Sequence, residues 1–344
     1  MLYVGVAWHA RGYEVCFRGD EGRANAPATG YRAAERDALV AHLRRVADQA
    51  DGDLVVVVES TNGILDGGMM AAGLRVYRAD PWTLPDPPSF GSVGADALAE
   101  AARRDLSALT RLRIDGGTLT GRISELLSGI SASAQAERPL REAGRWFDHG
   151  DRDMPVVALT FDDGPHPPYT GQVLDVLDRY GVPATFFCVG LNACELPGEI
   201  SRITAAGHAV ANHTWSHAYL PDLARDGLRE QVGRTSQTLE RAAGRPVALF
   251  RPPYGSRTPE VVGWLGDEKL TTVLWDVEAA DWALPGADVI ARRVLDQVRP
   301  GSVILLHDGG GDRSQTAAAL PSIIEGVRAR GLRFVLVEEL DPHC

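Results

Sequence analysis

The chain has 344 residues, of which 44% are hydrophobic and 24% charged, and its formal net charge is −11 at neutral pH. This length and apolar content are typical of a globular protein of two domains, and no apolar run reaches the roughly 20 residues that span a bilayer. Neither half of the chain has an excess of basic residues, which argues against nucleic acid as the main ligand. The four cysteines form neither a disulfide-dense framework nor a paired zinc motif.

Strands and helices alternate in the first part of the chain. Short apolar runs between turn residues predict strands, and amphipathic stretches predict helices. We expect strands over residues 3–8, 13–18, 54–59 and 74–77, and helices over residues 32–48, 65–72, 95–109 and from 118 onward. A proline-punctuated loop begins at Asp80. We place the domain boundary near Gly150, so that residues 1–150 form a smaller α/β domain with a helical connector.

Residues 151–344 show a longer alternation of the same kind. Strands are predicted over residues 156–161, 184–189, 248–250, 271–275, 302–306 and 333–337, with helical stretches between them. A repeated strand–helix–strand pattern implies a parallel sheet with right-handed crossovers. Six or seven such strands suit a barrel.

Polar clusters directly follow four of these predicted strands. They are Asp162-Asp163-Gly164-Pro165, Arg251-Pro252-Pro253-Tyr254, the segment from Asp276 to Trp282, and His307-Asp308-Gly309. In a βα barrel the carboxyl ends of the strands converge on one face, where active sites are built. We therefore expect these clusters to form a single site.

His213 and His217 add two imidazoles four residues apart. On a helical turn they would share one face, with Cβ atoms roughly 5–6 Å apart. Together with Asp163 they make a set of two histidines and one carboxylate that leaves a coordination position open, as in catalytic zinc sites. Two adjacent free acids would repel each other, so we expect a cation beside one aspartate and the guanidinium of Arg251 beside the other.

Five segments of the chain are diagnostic in combination. They are Thr160-Phe-Asp-Asp-Gly164, His213-Thr-Trp-Ser-His217, Arg251-Pro-Pro-Tyr254, Asp276-Val-Glu-Ala-Ala-Asp-Trp282 and Leu305-Leu-His307. Their order and spacing resemble the polysaccharide deacetylases, the NodB-homology group or carbohydrate esterase family 4. The resemblance spans roughly residues 154–340. It implies a distorted (β/α) barrel of the NodB-homology type and a metal-dependent hydrolase that removes an acyl group from an amide nitrogen.

The resemblance also implies a metal centre and a base. Asp163, His213 and His217 would bind a divalent metal, usually zinc, although cobalt or nickel can serve. Asp162 would be the general base that activates the attacking water, and Arg251 would hold it in place.

The remaining roles implied by the resemblance concern the leaving group and the pocket. His307 would be the general acid, oriented by Asp281 or, as the second choice, by Asp276. The backbone N–H of Tyr254 would stabilise the oxyanion. The wall of the acetyl pocket would consist of Pro253, Trp282 and Leu306.

The cellular context differs from that of many family members, which act outside the cell and carry a signal peptide or an anchor. The opening segment of this sequence has no basic region followed by a long apolar stretch. We expect a cytoplasmic protein without a membrane partner. Its substrate would be an N-acetylated small molecule or oligosaccharide, such as an amino sugar or a metabolite that contains one.

The first domain resembles another family, the RNase H-like domain at the start of IS110-type transposases. The features are the strand Val4-Gly5-Val6, the phrase Val58-Glu-Ser-Thr-Asn-Gly63 and Asp96-Ala-Leu-Ala99. Those enzymes hold two metal ions with a carboxylate on the first strand, where this chain has Ala7. Glu59 and Asp96 remain, but the loss of one ligand should abolish nuclease action. We expect a degenerate domain for homodimerisation, positioning or substrate gating; the alternative is an unrelated α/β domain.

Two other functions stay open at this point. The same machinery would serve a C–N hydrolase that acts on a non-sugar amide or a ureide. The first domain would alternatively make the chain a nucleic-acid-binding protein, although the acidic balance and Ala7 argue against this function. An inactive scaffold would lack a base or a metal ligand, and the five segments contain all of them.

Overall fold

A computed structural model of the chain describes residues 1–9, 12–22, 28–32, 35–58, 65–79, 93–112 and 120–340. The chain divides into two compact units, Met1–Leu127 and Ser128–Cys344. Within the described residues, no helix combines the length and the apolar character needed to cross a membrane. The loop predicted from Asp80 lies outside these residues.

The first unit contains a mixed six-stranded sheet with the strand order β3-β2-β1-β4-β5-β6. Strands β1, β2 and β3 pair antiparallel, whereas β4 and β5 run parallel to β1. The strands are β1 (Leu2–His9), β2 (Gly12–Gly19), β3 (Thr29–Arg32), β4 (Leu54–Val58), β5 (Arg75–Arg78) and β6 (Thr110–Arg111). The helices are α1 (Arg36–Gln49), α2 (Leu65–Ala71) and α3 (Ala95–Arg104).

Both faces of this sheet are covered by apolar side chains. Alternate residues of β1 and β4 point to opposite faces, as the two-residue period of a strand requires. Val4, Val6 and Val56 pack with Leu39 and Leu43 of α1 on one face. The opposite face packs against α3. The first unit therefore has its own core.

The second unit begins within a long helix and continues as a series of strands and helices. The boundary between the units lies in α4 (Thr120–Glu142). The strands are β7 (Trp146–Phe147), β8 (Val156–Asp162), β9 (Thr185–Cys188), β10 (Ala209–Asn212), β11 (Leu249–Phe250), β12 (Thr271–Val273), β13 (Val277–Glu278), β14 (Val303–His307) and β15 (Arg333–Val335). The helices are α5 (Tyr169–Tyr180), α6 (Gly190–Glu195), α7 (Pro197–Ala205), α8 (Arg225–Ala243), α9 (Pro259–Asp267), α10 (Ala287–Gln297) and α11 (Ser314–Ala329).

The strands of the second unit form a curled parallel sheet. Its order is β13-β14-β8-β9-β10-β11-β12-β7, and β15 adds to β8. All of these pairs are parallel. An isolated antiparallel bridge between His149 and Ser302 links the segment after β7 to the start of β14. The predicted distorted (β/α) barrel is confirmed.

The central strand β8 shows which face of the sheet is the inside of the barrel. Val157, Leu159 and Phe161 pack in a large cluster with the surrounding helices. Val156 and Ala158 pack in a separate cluster with interior-facing residues of other strands. Because side chains alternate along a strand, the last residue of β8, Asp162, continues the interior series.

The structure places the domain boundary earlier than the sequence did, at residues 127/128 instead of near Gly150. Strand β7 pairs with β12, and Arg145 donates hydrogen bonds to the carbonyls of Gly266 and Leu270. These long-range contacts attach the end of the predicted connector to the sheet of the second unit. The short strands β3, β6, β7, β10 and β13 were not predicted, because runs of two to four residues give little periodicity.

We predict that Gly5→Ala destabilises the first unit by about 1–3 kcal/mol, because a methyl group there would overpack the core. A Cβ at Gly5 would lie 1.8 Å from the Ala95 carbonyl oxygen and 2.8 Å from the Ala99 nitrogen. Hydrogen exchange of the β1 and α3 amides in the full chain would measure the loss. Gly30→Ala on β3 is the control, since a Cβ there meets nothing within 4 Å. Equal protection in both variants would contradict the prediction.

Candidate active site

Four strands deliver polar groups to one end of the barrel interior. Asp162 ends β8 and His307 ends β14, and the two residues are paired in register. His213 follows β10 directly, and Arg251 follows β11. Carboxyl ends of parallel strands lie at the same rim, so these groups meet although they are far apart in the sequence.

Asp163, His213 and His217 form a compact group that could bind a metal ion. One atom from each of the three lies within 4.8 Å of the others. His217 Nε2 is 3.1 Å and His213 Nε2 is 3.5 Å from Asp163 Oδ1. That oxygen is buried and accepts no hydrogen bond from the described residues. A buried carboxylate oxygen without a donor, beside two imidazole nitrogens, fits a divalent cation such as zinc.

The charges around Asp163 favour its ionised form. Burial alone would raise the pKa of this carboxyl group, but the charge of His217 and the nearby imidazole of His213 hold the pKa well below its ordinary value. An ionised carboxylate is the form that binds a metal.

The loop that carries the two histidines is not helical, so the helical-turn interpretation is wrong. Thr214 and His217 have positive φ angles of 67° and 57°. Side chains replace the backbone hydrogen bonds of a helix, since Asn212 Oδ1 accepts from Thr214 N and Gln231 Oε1 accepts from Trp215 N. The two imidazole rings still converge, with centroids 5.0 Å apart.

Asp162 is held by a buried guanidinium. Arg251 Nη1 donates to Asp162 Oδ1 at 2.7 Å and to Thr160 Oγ1 at 2.9 Å, and both charged residues are almost completely buried. Asp162 Oδ2 lies 3.6 Å from His213 Nε2. Asp162 and Asp163 therefore have different partners, as the sequence analysis expected of them.

His307 is paired with Asp281. His307 Nδ1 lies 2.8 Å from Asp281 Oδ1, while Asp281 Oδ2 accepts from His307 N and Thr316 Oγ1. Burial alone would lower the pKa of His307, but the Asp281 carboxylate and, at longer range, Asp163 raise it to about 9. Its imidazole is consequently protonated at neutral pH.

Asp276, the second choice as partner of His307, has a different set of contacts. Its carboxylate accepts from Arg152 Nη2 at 2.8 Å, Ser302 Oγ at 3.1 Å and Val303 N at 2.8 Å. These bonds anchor the start of β14. The contacts of Asp276 therefore stabilise the polypeptide around the start of β14.

Tyr254 lies in a strained turn next to the candidate metal ligand His217. Its φ of 61° and ψ of 8° fall in the left-handed region, which costs of order 1–3 kcal/mol for a bulky residue. The Tyr254 ring meets the His217 ring edge to face, with centroids 4.7 Å apart. Pro253 is buried in the same turn, and Trp282 is partly exposed.

Leu306 lies elsewhere than the sequence analysis expected. It packs in the cluster between the sheet and the helices, which is the outer face of β14. The two-residue period of the strand puts Leu305, and not Leu306, on the same face as His307. Leu306 therefore does not lie on the face of β14 that carries His307.

Several supporting residues escaped the sequence analysis because they carry no motif of their own. Asn192 Nδ2 donates to the Asp163 carbonyl at 2.9 Å. Arg313 binds the carbonyls of Gly309 and Gly310. A Cβ at Gly310 would lie 2.5 Å from Asp163 Oδ2. Gly309 and Gly310 are required to be glycines because the loop packs directly on Asp163 at both positions.

Asp308, in the polar cluster after β14, is fully buried. It accepts from Thr170 Oγ1 at 2.5 Å, and its backbone N–H donates to the Asp162 carbonyl. Burial, together with the charges of Asp163 and Asp162, raises the pKa of Asp308 to about 7. Asp308 thus connects β14 to the turn after β8.

The residues of the first unit that suggested a nuclease do not assemble a metal cluster within the described part of the chain. Ala7 is buried on β1. Asp96 is held by Arg18, whose Nε and Nη2 donate to its two oxygens at 2.8 and 2.7 Å. Glu59 lies outside the described residues. The RNase H-like resemblance of the first unit stays a prediction that no comparison with known proteins supports.

Comparison with known proteins gives one family for the second unit. The family model for polysaccharide deacetylase matches residues 149–273, which contain three of the five segments. A peptidoglycan-N-acetylglucosamine deacetylase of Bacillus cereus is 39% identical over 187 residues, covering 54% of this chain and 87% of that protein. A chitooligosaccharide deacetylase of Sinorhizobium fredii is 42% identical over 188 residues, covering 52% and 87%.

A solved structure extends the similarity to the fold. The crystal structure of a peptidoglycan N-acetylglucosamine deacetylase matches with a TM-score of 0.58 and 36% identity. The match covers 60% of this chain and 96% of that one. The chain therefore belongs to the polysaccharide deacetylase family of hydrolases.

Proposed function

We propose that the protein is a metal-dependent N-deacetylase that hydrolyses the acetamide of an amino sugar. The observation that carries the proposal is the donorless Asp163 Oδ1 beside two imidazoles, flanked by Asp162 and His307. The names of the relatives, which are deacetylases of N-acetylglucosamine units and of chitooligosaccharides, support an N-acetylglucosamine residue as the substrate group.

The residues divide the chemistry between a base and an acid. A divalent ion bound by Asp163, His213 and His217 would polarise the acetamide carbonyl and lower the pKa of a water molecule. Asp162 takes a proton from the attacking water as its oxygen bonds to the carbonyl carbon. Arg251 compensates the buried charge of Asp162 and fixes the orientation of its carboxylate.

The second half of the reaction breaks the C–N bond. His307 is held by Asp281 through Nδ1, so its Nε2 is the nitrogen that donates a proton to the departing amine. The Tyr254 N–H would donate to the oxygen that gains negative charge. The products are acetate and the free amino sugar, and the proton on Asp162 restores His307.

The proposed function is tested by acetate release from zinc-loaded protein. The panel contains N-acetylglucosamine, its oligomers, other N-acetylated sugars and simple amides. We expect turnover on N-acetylglucosamine compounds, and we expect His213→Ala to abolish both turnover and stoichiometric zinc binding. The exposed His149→Ala is the matched control. Turnover of simple amides but not of N-acetylated sugars would show that the substrate is an amide of another class. Full activity of His213→Ala would refute the metal centre.

Asp162→Asn separates the base from the metal ligands. We expect this variant to retain zinc, because Asp163, His213 and His217 remain, and to lose at least about 100-fold in kcat, as expected when general base catalysis is removed. Zinc content by atomic absorption and acetate release would be measured on the same sample. Loss of zinc from Asp162→Asn would show that the roles of the two aspartates are exchanged.

The pH dependence of kcat tests the acid. His307 has a pKa raised to about 9, so kcat should fall as the pH rises through about 9 and the imidazole loses its proton. Asp281→Asn removes the carboxylate that stabilises the imidazolium, so the alkaline limb should move down by at least about one pH unit. Asp276→Asn is the control, since Asp276 binds the start of β14 and not His307. Identical alkaline limbs in all three proteins would exclude His307 as the acid.

A further inference from the structure

The turn that contains Tyr254 is held by few contacts from its own backbone. Gly255 N donates to the Pro252 carbonyl at 3.0 Å, and Ser256 N donates to the Pro253 carbonyl at 2.9 Å. Both Tyr254 and Gly255 have a φ of 61°. Left-handed conformations at a bulky residue persist only where the surroundings impose them. Residues outside the turn must therefore help to hold Tyr254 in this conformation.

A side chain from the following loop supplies one such constraint. Arg257 Nη1 donates to the Gly255 carbonyl at 2.7 Å. Its Nε donates to Glu137 Oε1 at 2.6 Å, and the two side chains are 11% and 5% exposed. In this sheltered environment the guanidinium depends on the carboxylate to offset its desolvation. Glu137 therefore fixes the direction in which Arg257 points.

Glu137 belongs to α4, which packs closely on the same loop. A Cβ at Gly129 would lie 2.4 Å from the Arg257 carbonyl oxygen. Arg141 Nη2 donates to Glu137 Oε2 at 2.9 Å, so each carboxylate oxygen of Glu137 has an arginine partner. The match to the family model begins at residue 149, so Glu137 lies outside it.

We propose that Glu137, acting through Arg257, is a positioning residue for the deacetylase reaction. The chain of contacts runs from the Glu137 carboxylate through the Arg257 guanidinium to the Gly255 carbonyl, one residue after Tyr254. It would hold the Tyr254 backbone in the conformation from which its N–H acts in the proposed reaction. This inference rests on the proposed function.

The metal ligands reside on other elements, the turn after β8 and the loop after β10. Loss of the Glu137 carboxylate should consequently lower kcat more than it changes zinc affinity or KM. A displacement of about 1 Å in a group that acts in the transition state costs up to about 100-fold in rate. A merely structural role would instead lower the amount of folded, zinc-loaded protein and leave the kcat of each such molecule unchanged.

The test compares Glu137→Gln with Glu142→Gln in the full zinc-loaded chain. Glu142 lies on the same helix and forms an exposed pair with Arg138, which matches the substitution without touching the turn. We expect Glu137→Gln to lower kcat per bound zinc about 10-fold, with KM and the zinc Kd within about threefold of wild type. Glu142→Gln should match wild type.

Further variants show whether the two residues act as a unit. Arg257→Lys should resemble Glu137→Gln, and the double variant should be no slower than the slower single variant. Glu137→Asp keeps the charge and serves if Glu137→Gln does not fold. The proposal is overturned if Glu137→Gln keeps the wild-type kcat per bound zinc. If Glu137→Gln does not fold, the proposal is overturned when Glu137→Asp and Arg257→Lys, measured as two single variants, both keep the wild-type kcat per bound zinc.

A second readout does not depend on deacetylation. Hydrogen exchange of the peptide that contains residues 253–257 should accelerate in Glu137→Gln and not in Glu142→Gln. If exchange accelerates in Glu137→Gln but the wild-type protein releases no acetate, the proposed function is refuted and the link from Glu137 to the turn is retained. Unchanged exchange with an active wild type would refute the link alone.

Discussion

A buried arginine joins the strands that carry the active site. Arg251 is fully buried and donates to Asp162, to Thr160 and to the carbonyls of Val273 and Leu274. Its guanidinium also lies 3.9 Å from the ring centroid of Phe187. A buried charge is tolerated only when it is paired and hydrogen-bonded. The contacts that satisfy Arg251 therefore also fix β8, β9, β11 and β12 relative to one another.

The same residue connects the proposed base to the candidate metal ligands. The Arg251 carbonyl lies 2.7 Å from His213 Nδ1, which leaves Nε2 of that ring towards Asp163. A hydrogen bond to the second ring nitrogen is the usual means of orienting a metal-binding histidine. The guanidinium and the carbonyl of one residue thus orient a carboxylate and an imidazole whose roles differ.

The proposed acid and the proposed base have charged partners of opposite sign. Asp162 faces a guanidinium, whereas His307 faces a carboxylate, and such opposite environments allow the two to transfer protons in opposite directions at one pH. Helix α4 adds a third support, because Glu137 and Arg257 reach the turn at Tyr254 from outside the sheet. Residues from the segment that the sequence analysis had assigned to a connector therefore contact the turn that contains Tyr254 through Arg257.

The sequence alone determined the family, the parallel (β/α) architecture and the residues that meet at the rim. These follow from local patterns, since strand ends and their polar neighbours are adjacent in the chain. Only the tertiary structure decided that Asp281 and not Asp276 contacts His307, that Leu305 shares the face of His307, and that α4 belongs to the second unit in part. The physical reason is that these outcomes depend on which distant residues satisfy each other's charges and hydrogen bonds, and on the register of short strands.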